Sequence, residues 1–174
     1  MRSILLFFLF VSPAFAQGAP GIATAPGCGA PDVTFSVEAD KNQHPFEKPD
    51  AGKALVYIIQ DDSDFHANPR PTTRVGLDGQ WAGATHANSY SYFAVDAGEH
   101  HLCASWQGKG REAYSAAANF SAEAGASYFF VVRNTWLWPK GGDLTRKITL
   151  DSVNADEGQL LASKYSFSTA HAKN

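Results

Sequence analysis

The chain has 174 residues, of which 44% are hydrophobic and 18% charged, and its formal net charge is −3. This is enough apolar material for a packed core and too few charges for a disordered chain, on a length that suits one ordinary domain and excludes a multidomain enzyme. The mild acidity, spread without blocks, argues against a surface built for nucleic acid or an anionic membrane.

In chain order, Arg2 precedes an apolar run from Ile4 to Val11, and Ala14-Phe15-Ala16 follows before Gln17. That is the pattern of a secretory leader, residues 1–16, cut after Ala16. Ser12-Pro13 halts the run well short of the roughly 18 apolar residues that a membrane span needs, and no later stretch reaches that length, so no membrane span is expected. The mature product is expected in the periplasm or outside the cell. Residues 17–31, QGAPGIATAPGCGAP, are Gly- and Pro-rich and uncharged, which predicts a flexible linker containing Cys28.

Residues 32–37 alternate apolar and polar side chains as a strand does, and 53–60 (KALVYIIQ) are apolar on both alternate faces, as a central buried strand requires. A polar loop follows over 61–71. Its clustered acids, Asp61, Asp62 and Asp64, lack the spacing of a calcium loop. Asp78-Gly79 between 73–77 and 80–84 predicts a hairpin closed by a two-residue type I′ turn. Further strands are read at 89–95, 100–106, 116–121, 127–133 and 144–150, the 127–133 strand again central. Asn154-Ala155-Asp156-Glu157 fits a capping box opening a short helix, in which Gly158 costs about 1 kcal/mol relative to Ala. Together these predict a mainly β fold: an antiparallel β-sandwich, transthyretin-like or immunoglobulin-like, of about seven to eight strands with a short C-terminal helix. The sandwich domain spans 32–162, and 163–174 form a C-terminal tail.

Cys28 and Cys103 are the two cysteines of the chain. An even count in an exported chain reads first as a disulfide, worth about 4 kcal/mol at most on the chain-entropy model for so long a loop. The alternative is a metal: on a strand His101 and Cys103 share a face, with His100 on the other, but no local spacing supplies a third ligand. Nucleophile-elbow, phosphate-loop, dinucleotide and zinc-hydrolase motifs do not occur. No catalytic residue, metal ligand or cofactor is assigned. Trp81 and Trp106 lie within strands and are expected in the core. Trp136 and Trp138 are two apart beside Pro139 and a Gly-Gly pair, where exposed rings can stack on sugars or anchor a protein, or else cap the end of the sandwich.

Several stretches are similar to a known family: KALVYIIQ, VGLDGQWAGAT, SYSYFAVDAGEHHLCASW, AEAGASYFFVVR and VNADEGQLL, over residues 53 to 162. The chain resembles exported bacterial proteins classed as a domain of unknown function, and in pattern the PEGA type of β-sandwich surface domain. The resemblance implies a fold and an address and no reaction. It makes Asp78-Gly79 with Gly83, Gly98 with His100, and Gly125 architectural positions, and it favours pairing of Cys28 with Cys103. The expectation for function is a non-enzymatic binding or structural module of the bacterial envelope, contacting protein or glycan. The alternative is a small exported hydrolase or metal-binding protein using His86, His100, His101 and the Asp61–Asp64 loop.

Overall fold

The computed structural model describes residues 27–108, 111, 114–138 and 140–173. The expected leader and residues 17–26 of the expected linker lie outside the described residues. The elements are β1 (Thr34–Asp40), β2 (Lys53–Asp61), β3 (Thr72–Leu77), β4 (Gln80–His86), β5 (Ser89–Asp96), β6 (Gly98–Trp106), β7 (Ser115–Ala122), β8 (Ser127–Leu137), β9 (Thr145–Val153), α1 (Ala155–Lys164) and β10 (Ser166–Lys173). They form a six-stranded sheet in the order β1-β10-β5-β2-β8-β9 and a four-stranded sheet in the order β4-β3-β6-β7. The expected β-sandwich with one short helix near the C-terminal end is what the chain builds. Most neighbours run antiparallel, but β2–β8 and β10–β5 are parallel, so the large sheet is mixed.

The continuous apolar run of β2 has a physical cause. Ala54, Val56 and Ile58 face the small sheet and join Val75, Leu102, Ala104, Trp106, Phe130 and Val132 in the main core. Leu55, Tyr57 and Ile59 face the other way and join Tyr90, Phe129, Val131 and Ala162 in a second cluster beneath α1. With both faces covered, alternation is lost. The helix begins where Asn154 Oδ1 accepts from the Glu157 amide at 2.9 Å. Gly158 sits directly on the Phe129 ring, where a Cβ would collide with it. The glycine that weakens the helix by propensity is what lets it approach the sheet.

The β3–β4 hairpin turns at Asp78 (φ 50°) and Gly79 (φ 86°), with Leu77 opposite Gln80, as the type I′ reading requires.

Both ends of the described chain differ from the sequence expectation. Residues 27–31 do not behave as a linker: Gly27 and Gly29 are buried, and Cys28 is disulfide-bonded to Cys103 on β6. Arg74 Nη1 donates to the Pro31 and Val33 carbonyls at 2.8 and 3.0 Å, and Trp81 Nε1 donates to the Ala30 carbonyl at 2.6 Å. Gly76 admits this strap because a Cβ there would meet the Gly27 carbonyl. The disulfide removes Cys103 from the metal alternative. Trp106 is fully buried as expected. Trp81 instead lies partly exposed, with the Arg74 guanidinium 4.4 Å from its ring centroid.

The segment expected as a tail, 163–174, holds the last turn of α1 and then β10. β10 runs antiparallel to β1, from Thr34 opposite Lys173 to Asp40 opposite Phe167, and joins β5 in parallel at Ser166 and Phe167. Phe167 packs on Tyr90 and Tyr92, and Ser168 Oγ donates to the Tyr90 carbonyl at 3.0 Å. Ring packing and main-chain pairing hold the segment despite its polar sequence. No helix among the described residues is long and apolar enough to cross a membrane.

Candidate functional site

The two ends of the sandwich are built differently. At one end the connections are short: 78–79 between β3 and β4, Ala97 between β5 and β6, and 123–126 between β7 and β8. At the other end, residues 62–71 follow β2, 107–114 follow β6 and 138–144 follow β8. Loops carried on a rigid frame are where recognition residues concentrate.

The 62–71 loop is fixed to β8. The Trp136 amide donates to the Asp64 carbonyl and the His66 amide to the Trp136 carbonyl, both at 3.0 Å, which makes a parallel bridge between Phe65 and Trp136. Phe65 is buried, 5.5 Å from the Trp106 ring and 5.7 Å from the Trp136 ring. Tyr114 stacks on Trp106 at 4.4 Å. Trp136 therefore closes the end of the core, with the Arg146 guanidinium 5.1 Å from its ring centroid on the outer side. Trp138, two residues on, is 75% exposed. The structure thus joins Trp136 to the 61–71 loop, leaves Trp138 exposed two residues beyond it, and separates the two tryptophans by environment.

Beneath this surface lies a buried polar network that periodicity does not reveal. Asp62 is fully buried, and both its carboxylate oxygens accept from Gln60 Nε2, at 3.0 and 2.9 Å. Asn134 Nδ2 donates to Asp62 Oδ1 at 2.8 Å and to Thr73 Oγ1 at 3.2 Å, while Asn134 Oδ1 accepts from Trp106 Nε1 at 2.6 Å. Thr85 Oγ1 donates to Gln60 Oε1 at 2.8 Å, and Gln60 Nε2 also reaches the Pro71 carbonyl at 3.0 Å. The Asp62 amide donates to Asn88 Oδ1 at 2.8 Å. Burial pushes the Asp62 carboxyl up, opposed by the hydrogen bonds from Asn134 and Gln60. The network ties β2 and β8 of one sheet to β3, β4 and β6 of the other and roots both ends of the 62–71 loop. Its only trace in the sequence is Gln60 and Asn134, polar residues following the apolar runs of β2 and β8.

The histidines and acids of the metal alternative are divided between the two ends of the sandwich. His86 and Asp61–Asp64 lie at the long-loop end, where His86 Nδ1 is 3.3 Å from Thr72 Oγ1. His100 lies at the short-turn end. Its Nδ1 is 2.7 Å from Asp78 Oδ2 and its Nε2 is 2.9 Å from the Asp96 carbonyl, while Asp78 Oδ1 accepts from the His101 amide at 2.8 Å. Both ring nitrogens face acceptors, which only the imidazolium satisfies. Burial works against that charge, but Asp78 and Asp96 outweigh it and raise the His100 pKa. At Asp78 desolvation is the largest single influence and raises the pKa, but the bonds from His101 and His100 and their charges together outweigh it, and the pKa is lowered. The pair staples one turn to the next. Among the described residues no three His, Cys, Asp or Glu side chains are grouped to hold a metal ion. A groove of about 410 Å³ beside the end of α1, lined by Lys41, His44, Asn88 and residues 163–166, does not include the tryptophans.

A family model matches residues 50–140, more than half of the chain. The chain belongs to DUF2846, a family described as a protein of unknown function. The DUF2846 match is shorter than the 53–162 span of the resemblance and leaves the VNADEGQLL stretch outside. It takes in β2 to β8, that is, the whole small sheet and the β5-β2-β8 centre of the large one. It also holds Gln60, Asp62, Asn134, Trp136 and Trp138, so the long-loop end with its polar root lies within the matched region. No curated protein and no solved structure matches the chain.

Proposed function

We propose that this DUF2846 protein is an exported, non-enzymatic binding module of the bacterial envelope, contacting protein or glycan through the long-loop end of its sandwich. The carrying observation is the exposed ring of Trp138 two residues beyond Trp136, which Arg146 covers and whose main chain is bonded to the 62–71 loop. A rigidly held rim with one large exposed ring is suited to stacking on a sugar face or filling a partner's pocket. The leader-like N-terminus and the Cys28–Cys103 disulfide support export, since disulfides persist in oxidising compartments.

The test is Trp138→Ala, measured for binding to isolated envelope glycans and for partner recovery from solubilised envelope. Truncating an anchoring tryptophan costs about 2 kcal/mol or more, a loss of roughly 30-fold in affinity, while the unfolding midpoint of so exposed a position stays put. Equal capture by wild type and Trp138→Ala would remove this site from the reading. Failure of wild type to bind any envelope glycan or protein would remove the reading itself.

A further inference from the structure

An edge strand presents a row of unpaired amides and carbonyls, and proteins guard such edges with charge, proline, bulges or a covering segment. Four strands lie at sheet edges here: β1 and β9 in the large sheet, β4 and β7 in the small one. β1 carries Glu38 and Asp40, and β9 carries Arg146, Lys147 and Asp151. β4 has a register shift opposite Val75 and Gly76, and its Trp81 is bonded to the docked strap. Among the described residues β7 has none of these guards. Its sequence, SAAANFSA, contains no charge and no proline, and it pairs with β6 without interruption from Ser115 to Ala122. Ser115, Ala117, Asn119 and Ser121 are exposed along it, while Ala116, Ala118 and Phe120 pack against the core.

The surroundings of this strand are polarised along its length. Arg111 precedes its first residue, and Arg146 and Lys147 stand at the same end, at the start of β9 across the sandwich. At the other end, Glu99 is on β6 next to the last residues of β7, and Glu123 follows Ala122 directly. Lys109 and Glu112, of opposite sign, lie outside the described residues.

We infer that the protein forms a two-fold dimer in which β7 of one copy pairs antiparallel with β7 of a second copy, joining two four-stranded sheets into a continuous sheet. Self-pairing of a neutral strand places no like charges opposite each other. The two-fold operation also turns the basic end of each copy toward the acidic end of the other, Arg111 and Arg146 toward Glu123 and Glu99. A self-complementary patch of this kind is what an isologous interface requires. The inference stands on the β7 edge and needs neither Trp136 nor Trp138, although Arg111 and Arg146 lie at the long-loop end.

The experiment is sedimentation and light scattering of the protein over a wide range of concentration and salt. The expected result is twice the mass of one chain, with dissociation favoured by dilution and by added salt. Asn119→Lys places a charge in the middle of the exposed edge and should give the mass of one chain, with an unfolding midpoint close to that of wild type. Glu123→Arg should weaken the dimer, and adding Arg111→Glu to the same chain should restore it. Wild type at the mass of one chain throughout overturns the inference, and so does Asn119→Lys that still forms the dimer. Failure of Arg111→Glu to rescue Glu123→Arg overturns the antiparallel arrangement.

Discussion

Asn134→Leu tests whether the polar network beneath the long loops holds the two sheets together. Asn134 accepts from Trp106 Nε1 at 2.6 Å and donates to Asp62 Oδ1 at 2.8 Å, and all three side chains are buried. Leucine is close in volume, so little cavity is created. The Trp106 N–H is left with no partner, a cost of about 1–3 kcal/mol, and the Asp62 carboxylate loses a hydrogen bond of the charged class, worth about 1.5–3 kcal/mol. The Thr73 hydroxyl loses only a long donor contact, at 3.2 Å, and is counted as zero. The apolar leucine surface offsets about 1–2 kcal/mol of this. The net loss is about 2–4 kcal/mol. At about 3 °C per kcal/mol for a domain of this size, the midpoint falls by roughly 6–12 °C. Urea and thermal unfolding followed by tryptophan fluorescence read it directly. Because Asp62 is already held above the usual carboxylate range, losing a donor raises it further, and the deficit widens as pH climbs above that range. In a cycle with Trp106→Phe, which has no N–H to strand, the two changes should couple by about 1–2 kcal/mol. A single variant within about 0.5 kcal/mol of wild type, or strict additivity in the cycle, would refute the reasoning.

Two further outcomes are expected. The raised His100 contributes stability below the ordinary imidazole pKa of about 6.5 and loses it as pH rises through the folded value; the lowered Asp78 contributes above about 3.9 and loses it as pH falls through its folded value. The pair is therefore most stabilising in mild acid, and His100→Gln should flatten the fall in stability of wild type across neutral pH; parallel denaturation profiles would count against the staple. Gly158→Ala should destabilise by about 1–3 kcal/mol despite the gain of about 1 kcal/mol in helix propensity, because the new Cβ meets the Phe129 ring. A more stable Gly158→Ala would mean that α1 shifts freely on the sheet.

What the sequence made legible depended on how local the physics was. The β3–β4 hairpin was readable because Asp78-Gly79 alone satisfies a turn with two positive φ angles. β2 and β8 were readable as central because both their faces are apolar, although it was not foreseen that the expected helix covers one of those faces over a second cluster. β10 was missed because SFSTAHAK has weak alternation and its pairing partner, β1, lies at the other end of the chain. Gly27 and Gly29 read as linker by composition, yet here small size is what allows close packing, of Gly27 against β6 and of Gly29 against Trp81 on β4. Gln60, Asp62 and Asn134 gave the weakest signal of all. A polar residue just past an apolar run is expected in water, and only partners from the opposite sheet make its burial tolerable. Trp136 and Trp138 were legible as a pair, but their division into a core lid and an exposed ring required the course of the 62–71 loop.

The strap at Cys28 also determines how the domain bears tension. β1 is an edge strand whose first residue, Thr34, lies opposite Lys173 near the end of β10, so a pull on β1 from its start would peel that pair apart one rung at a time. A pull arriving through residues before Gly27 meets the Cys28–Cys103 bond first and passes into β6, in the middle of the small sheet between β3 and β7. The β1–β10 seam is thereby shielded from any load carried along the N-terminal segment, and that load is borne by a covalent link into an internal strand.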